Sequence, residues 1–381
     1  MQLKHLLPLA LGAGASAQNL AEALASQNSS LSSLNALLAS QPAIVSTLSN
    51  ATNITILAPN NDALTAFVNS TAGAAAASNA DAVAALLTYH VLQGNYAASA
   101  FTNTSQFIPT ALNASAYSNV TGGQRVEARL NGSSVDFFTG LLQESQVVTA
   151  NISFTGGTIH IINKVLTIPT TPANTATSLN LTSLAGALTQ ANLVNTVDSL
   201  RDITIFAPSN AAFQAIGSVL GNLSTEQLAS VLTYHVVNGT VGYSSGLTNT
   251  TLTTVGGGQI TIRIENGSIF ANSATVITPD VLVANGVVHV IDGVLNPNNT
   301  SAAPPSSGAS TTTGAFTGAS SVTSVPFTSG VTASTTVTST PSRSPTSSSS
   351  SGGAVHGMAM PTGAVGMGAL FGGAAVLMGQ M

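Results

Sequence analysis

Three stretches recur in the same order in both halves of this 381-residue chain, which makes it a tandem duplication; whatever one half folds into, the other must too. Thr55-Ile56-Leu57-Ala58-Pro59-Asn60-Asn61-Asp62-Ala63-Leu64 returns as Thr204-Ile205-Phe206-Ala207-Pro208-Ser209-Asn210-Ala211-Ala212-Phe213. Leu86-Leu87-Thr88-Tyr89-His90-Val91 returns as Val231-Leu232-Thr233-Tyr234-His235-Val236, and Gly157-Thr158-Ile159-His160-Ile161-Ile162 as Gly286-Val287-Val288-His289-Val290-Ile291. The offset shrinks from 149 residues (Thr55 to Thr204) to 145 (Tyr89 to Tyr234) to 129 (His160 to His289), so the first copy carries the longer loops.

Each landmark has a local reading. A β-favouring run meets Ala-Pro, where proline ends the strand, and Asn60 or Ser209 follows as a helix cap. Ser224 and Gln227 have capping-box spacing with Leu223 and Leu228 as a hydrophobic staple, which predicts a helix from about Thr225 through Leu232. In the first copy Asn79 takes the cap position, but Ala82 stands where the reciprocal Gln would be, predicting a weaker start. Asn131-Gly132 and Asn266-Gly267 lie between apolar-alternating runs and predict tight hairpins. Helices come first (20–48 and 184–200), then a strand, more helix, and a last set of strands. That segregation predicts α+β units rather than a parallel βαβ sheet.

With those residues in view, the chain resembles the fasciclin family, strongly in its second copy and almost as well in its first. Leu64, where the pattern usually has an aromatic, and Asn163-Lys164 against Asp292-Gly293 predict a difference in packing between the copies. The resemblance implies two tandem fasciclin-like domains, each a wedge-shaped β-sandwich with packed helices, at 18–170 and 175–297. It also implies adhesion or matrix organisation outside the cell, without cofactor or catalysis, and often a GPI anchor in fungal and plant surface proteins. The absence of dense Ala-Pro and Ser-Pro repeats favours a fungal wall protein over a plant relative. In animal relatives the segment around Tyr-His is proposed to contact integrins, which maps to Tyr89, His90, Tyr234 and His235. Packing of these side chains in the core is the competing role.

Residues 1–17 read as a secretory signal: Lys4, an apolar run from Leu6 to Leu11, then Ala15-Ser16-Ala17 before Gln18, with a buried amphipathic helix as the alternative. At the other end a disordered Ser/Thr-rich stalk (298–351) precedes small residues at Ser350, Ser351, Gly352 and Gly353. A short apolar tail from about Ala364 to Met378 has no Lys or Arg after it. That layout predicts a GPI-attachment signal over 352–381; a single membrane helix is the alternative. The expected location is the extracellular face of the plasma membrane, with transfer to the cell wall left open.

Only 5% of residues are charged, against about 25% in ordinary soluble domains. Glycans are expected to supply the missing solvation. Sixteen N-x-S/T sequons occur, at Asn28, Asn50, Asn53, Asn69, Asn103, Asn113, Asn119, Asn131, Asn151, Asn180, Asn222, Asn238, Asn249, Asn266, Asn298 and Asn299. The stalk reads as O-glycosylated. Seven Lys/Arg against twelve Asp/Glu, with no basic cluster, argues against nucleic acid as a partner. The absence of cysteine rules out disulfides and thiolate metal sites.

Four of the six histidines lie inside the repeated motifs, among Val, Ile, Tyr and Leu, where each ring can hydrogen-bond nearby backbone; metal binding and catalysis are the lesser readings. The carboxylates of the second copy (Asp198, Asp202, Glu226, Glu265, Asp280, Asp292) form no motif-placed acid–base pair, and Asp292 reads as a turn residue. No G-x-S-x-G, P-loop or H-E-x-x-H run appears. The reading is a non-enzymatic, cofactor-free surface protein that binds cell-surface or wall components, protein or polysaccharide, with weak self-association left open. A structural wall spacer and a lipid- or small-molecule-binding module are the rivals.

Overall fold

The computed structural model describes residues 18–300 and 315–333. The expected leader and the attachment signal with Ser350, Ser351, Gly352 and Gly353 lie outside these residues.

The first domain opens with three helices, α1 (Leu20–Ser26), α2 (Asn28–Ala39) and α3 (Pro42–Asn50). Asn19 and Glu22 form a reciprocal capping box on α1. β1 (Ile54–Pro59) ends at its proline, and Asn60 accepts from the Ala63 N–H to start α4 (Asn61–Val68). α5 (Thr71–Ala77) and α6 (Ala80–Tyr89) follow. Asn79 caps α6 from one side only, accepting from the Asp81 and Ala82 N–H groups. The strands are then β2 (Val91–Gln93), β3 (Gln106–Pro109), β4 (Arg125–Asn131), β5 (Ser134–Phe138), β6 (Glu144–Phe154) and β7 (Gly157–Ile162).

The second domain repeats the order: α7 (Pro172–Ser178), α8 (Thr182–Gln190), α9 (Val194–Ser199), β8 (Ile203–Pro208), α10 (Asn210–Ala215), α11 (Gly217–Leu220) and α12 (Thr225–Tyr234). Then come β9 (Val236–Val237), β10 (Thr250–Thr253), β11 (Gln259–Glu265), β12 (Ser268–Ala271), β13 (Ala274–Val283) and β14 (Gly286–Ile291). The Ser224–Gln227 capping box is formed on α12, and Asn266-Gly267 turns the β11–β12 hairpin, whereas in the first domain Asn131 pairs with Ser134 as the last residue of β4 and Gly132-Ser133 make the β4–β5 turn.

Each domain holds one seven-stranded sheet, ordered β2-β1-β7-β6-β5-β4-β3 and β9-β8-β14-β13-β12-β11-β10. Bridges Leu92–Thr110 and Val237–Thr254 bring its two ends together, so the sheet nearly closes on itself. Bulges within β6 and β13 bend the strand that serves both halves. The hairpins are antiparallel as expected, but β1 runs parallel to β7 and β8 to β14. This pairing inserts the first strand of the unit beside the last.

The central strands are buried on both faces. Ile56 and Ala58 of β1, with Ile159 and Ile161 of β7, face the helices; Leu57 and Ile162 face the interior of the folded sheet with Tyr89, Phe101 and Phe137. The second domain divides Ile205, Ala207, Val288 and Val290 from Phe206, Tyr234 and Ile291 in the same way. A period of two in an all-apolar run therefore feeds two core layers.

The glycine that opens the last strand has a steric reason. A Cβ on Gly157 would lie 1.8 Å from the Ile54 carbonyl oxygen, and one on Gly286 1.9 Å from that of Ile203. The parallel neighbour passes too close for any side chain. We predict that Gly286→Ala destabilises the second domain by about 3 kcal/mol through overpacking. Denaturant unfolding at fixed m-value checks this; an unchanged midpoint would contradict the close approach.

Candidate functional site

The Tyr-His motif sits where the helix preceding the sheet ends. His90 and His235 follow the last residues of α6 and α12, and each ring joins two chain segments. Nδ1 of His90 donates to the Leu86 carbonyl at 2.7 Å while Nε2 accepts from the Leu166 N–H at 2.9 Å. His235 repeats this with Val231 at 2.7 Å and the Leu295 N–H at 2.9 Å. These partners assign the neutral Nδ1–H tautomer. The neighbouring tyrosines reach across the sheet interior, with Tyr89 Oη donating to the Arg125 carbonyl at 2.9 Å and Tyr234 Oη to that of Gln259 at 2.6 Å. Tyr89 and Tyr234 are 0% exposed, His90 5% and His235 2%. A partner could touch none of the four rings without opening the domain.

The last-strand histidines use the opposite tautomer. Nε2 of His160 donates to the Tyr96 carbonyl at 2.9 Å and Nδ1 accepts from the Asn151 N–H at 3.2 Å. His289 does the same with Gly242 at 2.7 Å and the Asp280 N–H at 3.2 Å. Asn151 and Asp280 have φ of 62° and 60°, so each ring holds the left-handed residue of the strand bulge. Asp280 also takes the Ser244 N–H and hydroxyl.

Other carboxylates serve turns and caps. Asp292 accepts from the Thr275 N–H at 2.7 Å; Asn163 accepts from Gln146 at 2.8 Å, so the amide keeps the bond where the first copy departs from the pattern. Asp198 accepts from the Ala173 N–H and Glu226 from the Ser224 hydroxyl. Among the described residues, no group of three or more His, Asp or Glu is placed to hold a metal ion. The sequon asparagines are exposed except for Asn119 and Asn299, which are half-buried.

Asn119 belongs to a contact that sequence reasoning missed, the junction between the domains. The offset between the copies is 144 at Thr110/Thr254 and 134 at Arg125/Gln259, which locates a ten-residue insertion between β3 and β4. From it, the Thr121 N–H and hydroxyl donate to Asp202 at 2.7 and 2.5 Å, the Asn119 N–H to Ala284 O at 2.7 Å, and Gln124 Nε2 to Val283 O at 3.1 Å. A second insertion precedes β6, where the offset falls from 134 at Phe138/Asn272 to 129 at Val147/Val276. Its Leu142 packs into the second domain's core. Phe107 and Tyr243 stack across the junction with centroids 4.2 Å apart. Burial raises the Tyr243 pKa, opposed by the Arg125 charge. The only sequence signal was the shrinking offset.

The histidine geometry has a pH signature. Burial lowers the pKa of His90 and His235 to about 4, since a second ring proton would face an N–H donor; the carbonyl bond opposes this weakly. The unfolded chain takes up these protons near pH 6.5 and the folded one only near 4. Stability is therefore complete above about pH 6.5 and falls as pH drops toward 4, by roughly 3 kcal/mol per histidine. We predict that His235→Ala costs about 2–4 kcal/mol at pH 7, through the orphaned Leu295 N–H and Val231 carbonyl, and flattens the second domain's pH dependence. Denaturant titrations between pH 4 and 7 test both; an unchanged slope would contradict the assigned tautomer.

The fasciclin domain matches at residues 29–169 and 179–297. A fasciclin-like arabinogalactan protein of Arthroderma benhamiae is 35% identical over 303 residues, covering 79% of this chain and 72% of that one. Another from Cercospora beticola is 32% identical over 294 residues, covering 74% and 77%. Among solved structures, a FAS1 domain pair from the insect cell adhesion molecule fasciclin I matches at 20% identity with a TM-score of 0.34, covering 68% of this chain and 94% of that one. With two matched domains over most of its length and fungal relatives at this identity, the chain belongs to the fasciclin family.

Proposed function

We propose that this protein is an extracellular, GPI-anchored glycoprotein of the plasma membrane or wall that binds cell-surface or wall components, protein or polysaccharide, through its paired domains and without catalysis. The observation that carries the reading is the junction built from the first copy's two insertions. It holds two binding units at a fixed separation, so weak contacts add when both engage. The exposed sequons and the names of the fungal relatives support a glycosylated surface role. A second reading, a site for a small apolar ligand, has one feature in its favour: an open groove between α1, α2 and α3 lined by Leu20, Leu24, Leu38, Val45 and Leu48.

Beads coated with the glycosylated protein, with and without enzymatic deglycosylation, are to be tested on sibling cells, foreign cells and isolated wall polysaccharide. Binding that survives deglycosylation is expected; no binding to any surface would leave a structural spacer, and uptake of a fluorescent fatty acid alone would favour the groove. Asp202→Ala removes the Thr121 bonds, worth about 2 kcal/mol. It is predicted to split one calorimetric transition into two and weaken bead retention; retention unchanged with the transitions split would argue against a role for fixed spacing.

A further inference from the structure

Within the stretch expected to be stalk, residues 315–333 lie across α8, α10 and α11 of the second domain, and Phe316, Phe327 and Val331 pack against its core. The segment carries no charge. The Val322 N–H donates to the Gln214 carbonyl at 3.0 Å, Gln214 Nε2 to the Thr323 carbonyl at 2.9 Å, and the Ser183 hydroxyl to the Pro326 carbonyl at 2.7 Å. Ser218 and Ser320 exchange two further bonds, N–H to carbonyl at 3.2 Å and N–H to hydroxyl at 2.8 Å.

Two glycines admit it. A Cβ on Gly186 would lie 1.7 Å from the Phe327 carbonyl oxygen, and one on Gly217 2.1 Å from Val322 Cγ2. Phe327 has φ of 59°, a left-handed conformation that a bulky residue keeps only where its surroundings impose it. This conformation accompanies a carbonyl set over Gly186 and a ring packed edge-on against Phe213, centroids 5.9 Å apart.

The first domain lacks these features at the matching positions. The Ser33 N–H bonds Asn61 Oδ1 at 2.9 Å as the Ser183 N–H bonds that of Asn210 at 3.0 Å, which fixes the correspondence of α2 with α8 and of α4 with α10. In that register Ala36 stands for Gly186, Leu64 for Phe213 and Val68 for Gly217. Val68 is 57% exposed, beside Leu37 and Leu64 in a groove that no other described segment covers.

We propose that the α8–α10–α11 face is a peptide-binding groove for an uncharged, extended Ser/Thr/Val segment carrying Pro-Phe, and that its ligand is this chain's own residues 315–333. The bound segment acts as a strap. It moves the point from which the chain continues beyond the second domain from the end of β14 to the helical side, and it shields this face from other partners. Among the described residues nothing covers the first domain's equivalent face, so there the two copies present different surfaces.

Hydrogen–deuterium exchange on the whole protein tests this. In the wild type the Ser320 and Val322 amides are expected to exchange at least ~10-fold more slowly than in Gly186→Ala, while β8 and β14 amides remain protected in both. The alanine is tolerated at this helix position in the sister domain. If Gly186→Ala unfolds the domain, Phe327→Ser on the strap gives the same readout without touching the helix. A synthetic 315–333 peptide is expected to bind Phe327→Ser, whose groove is vacated, and not Gly186→Ala. Free exchange of 315–333 in the wild type, protection unaltered by both variants, or no peptide binding to Phe327→Ser would overturn the proposal.

Discussion

The parallel pairing of each unit's first long strand with its last organises everything else. β1 against β7 joins Ile54 to Gly157, β8 against β14 joins Ile203 to Gly286, and every other strand of the sheet lies outside one of these pairs. Both members are buried on both faces, so they supply the helix-side core and the sheet interior at once. That requires continuous apolar runs and, at the point of closest approach, a residue with no side chain. Gly157 and Gly286 meet the second requirement.

The histidines are the polar counterpart of this packing. A buried imidazole has one donor and one acceptor, and each of the four spends them on two backbone groups that the sheet and helix ladders leave over. His90 and His235 tie a helix end to the chain leaving the sheet; His160 and His289 tie a bulge to the loop across it. The motifs recur because both geometries recur. Exposing any of these rings would require those bonds to open.

Duplication has not produced equivalent copies. The first carries two insertions, and both are used to grip the second. The second carries glycines where the first has Ala36 and Val68, and there the chain folds back on itself. Phe213 against Leu64, visible as a departure from the family pattern, belongs to the same difference, since Phe213 has an aromatic partner in Phe327. Asn163 against Asp292 made no structural difference, because either side chain offers the oxygen that the turn requires.

The repeat, the capped helices at Ser224 and Asn79, the Asn-Gly hairpins and the α+β class were all legible in the residues, because caps, turns and periodicity act over a few positions. Buried histidines were legible as a tendency, from their apolar neighbours. The parallel pairing was not, since an all-apolar run has no sided pattern to announce its neighbour. The shrinking offset announced longer loops, yet their use waited on the position of Asp202 and Ala284 in the other domain. A Ser/Thr-rich stretch has no periodicity of its own, and only Gly186, Gly217 and Phe213, brought together on one helical face, give residues 315–333 a place to lie. The sequence by itself determined the units and their local elements; the tertiary structure decided how far each extends and how they are joined, because those depend on contacts between residues that no local pattern relates.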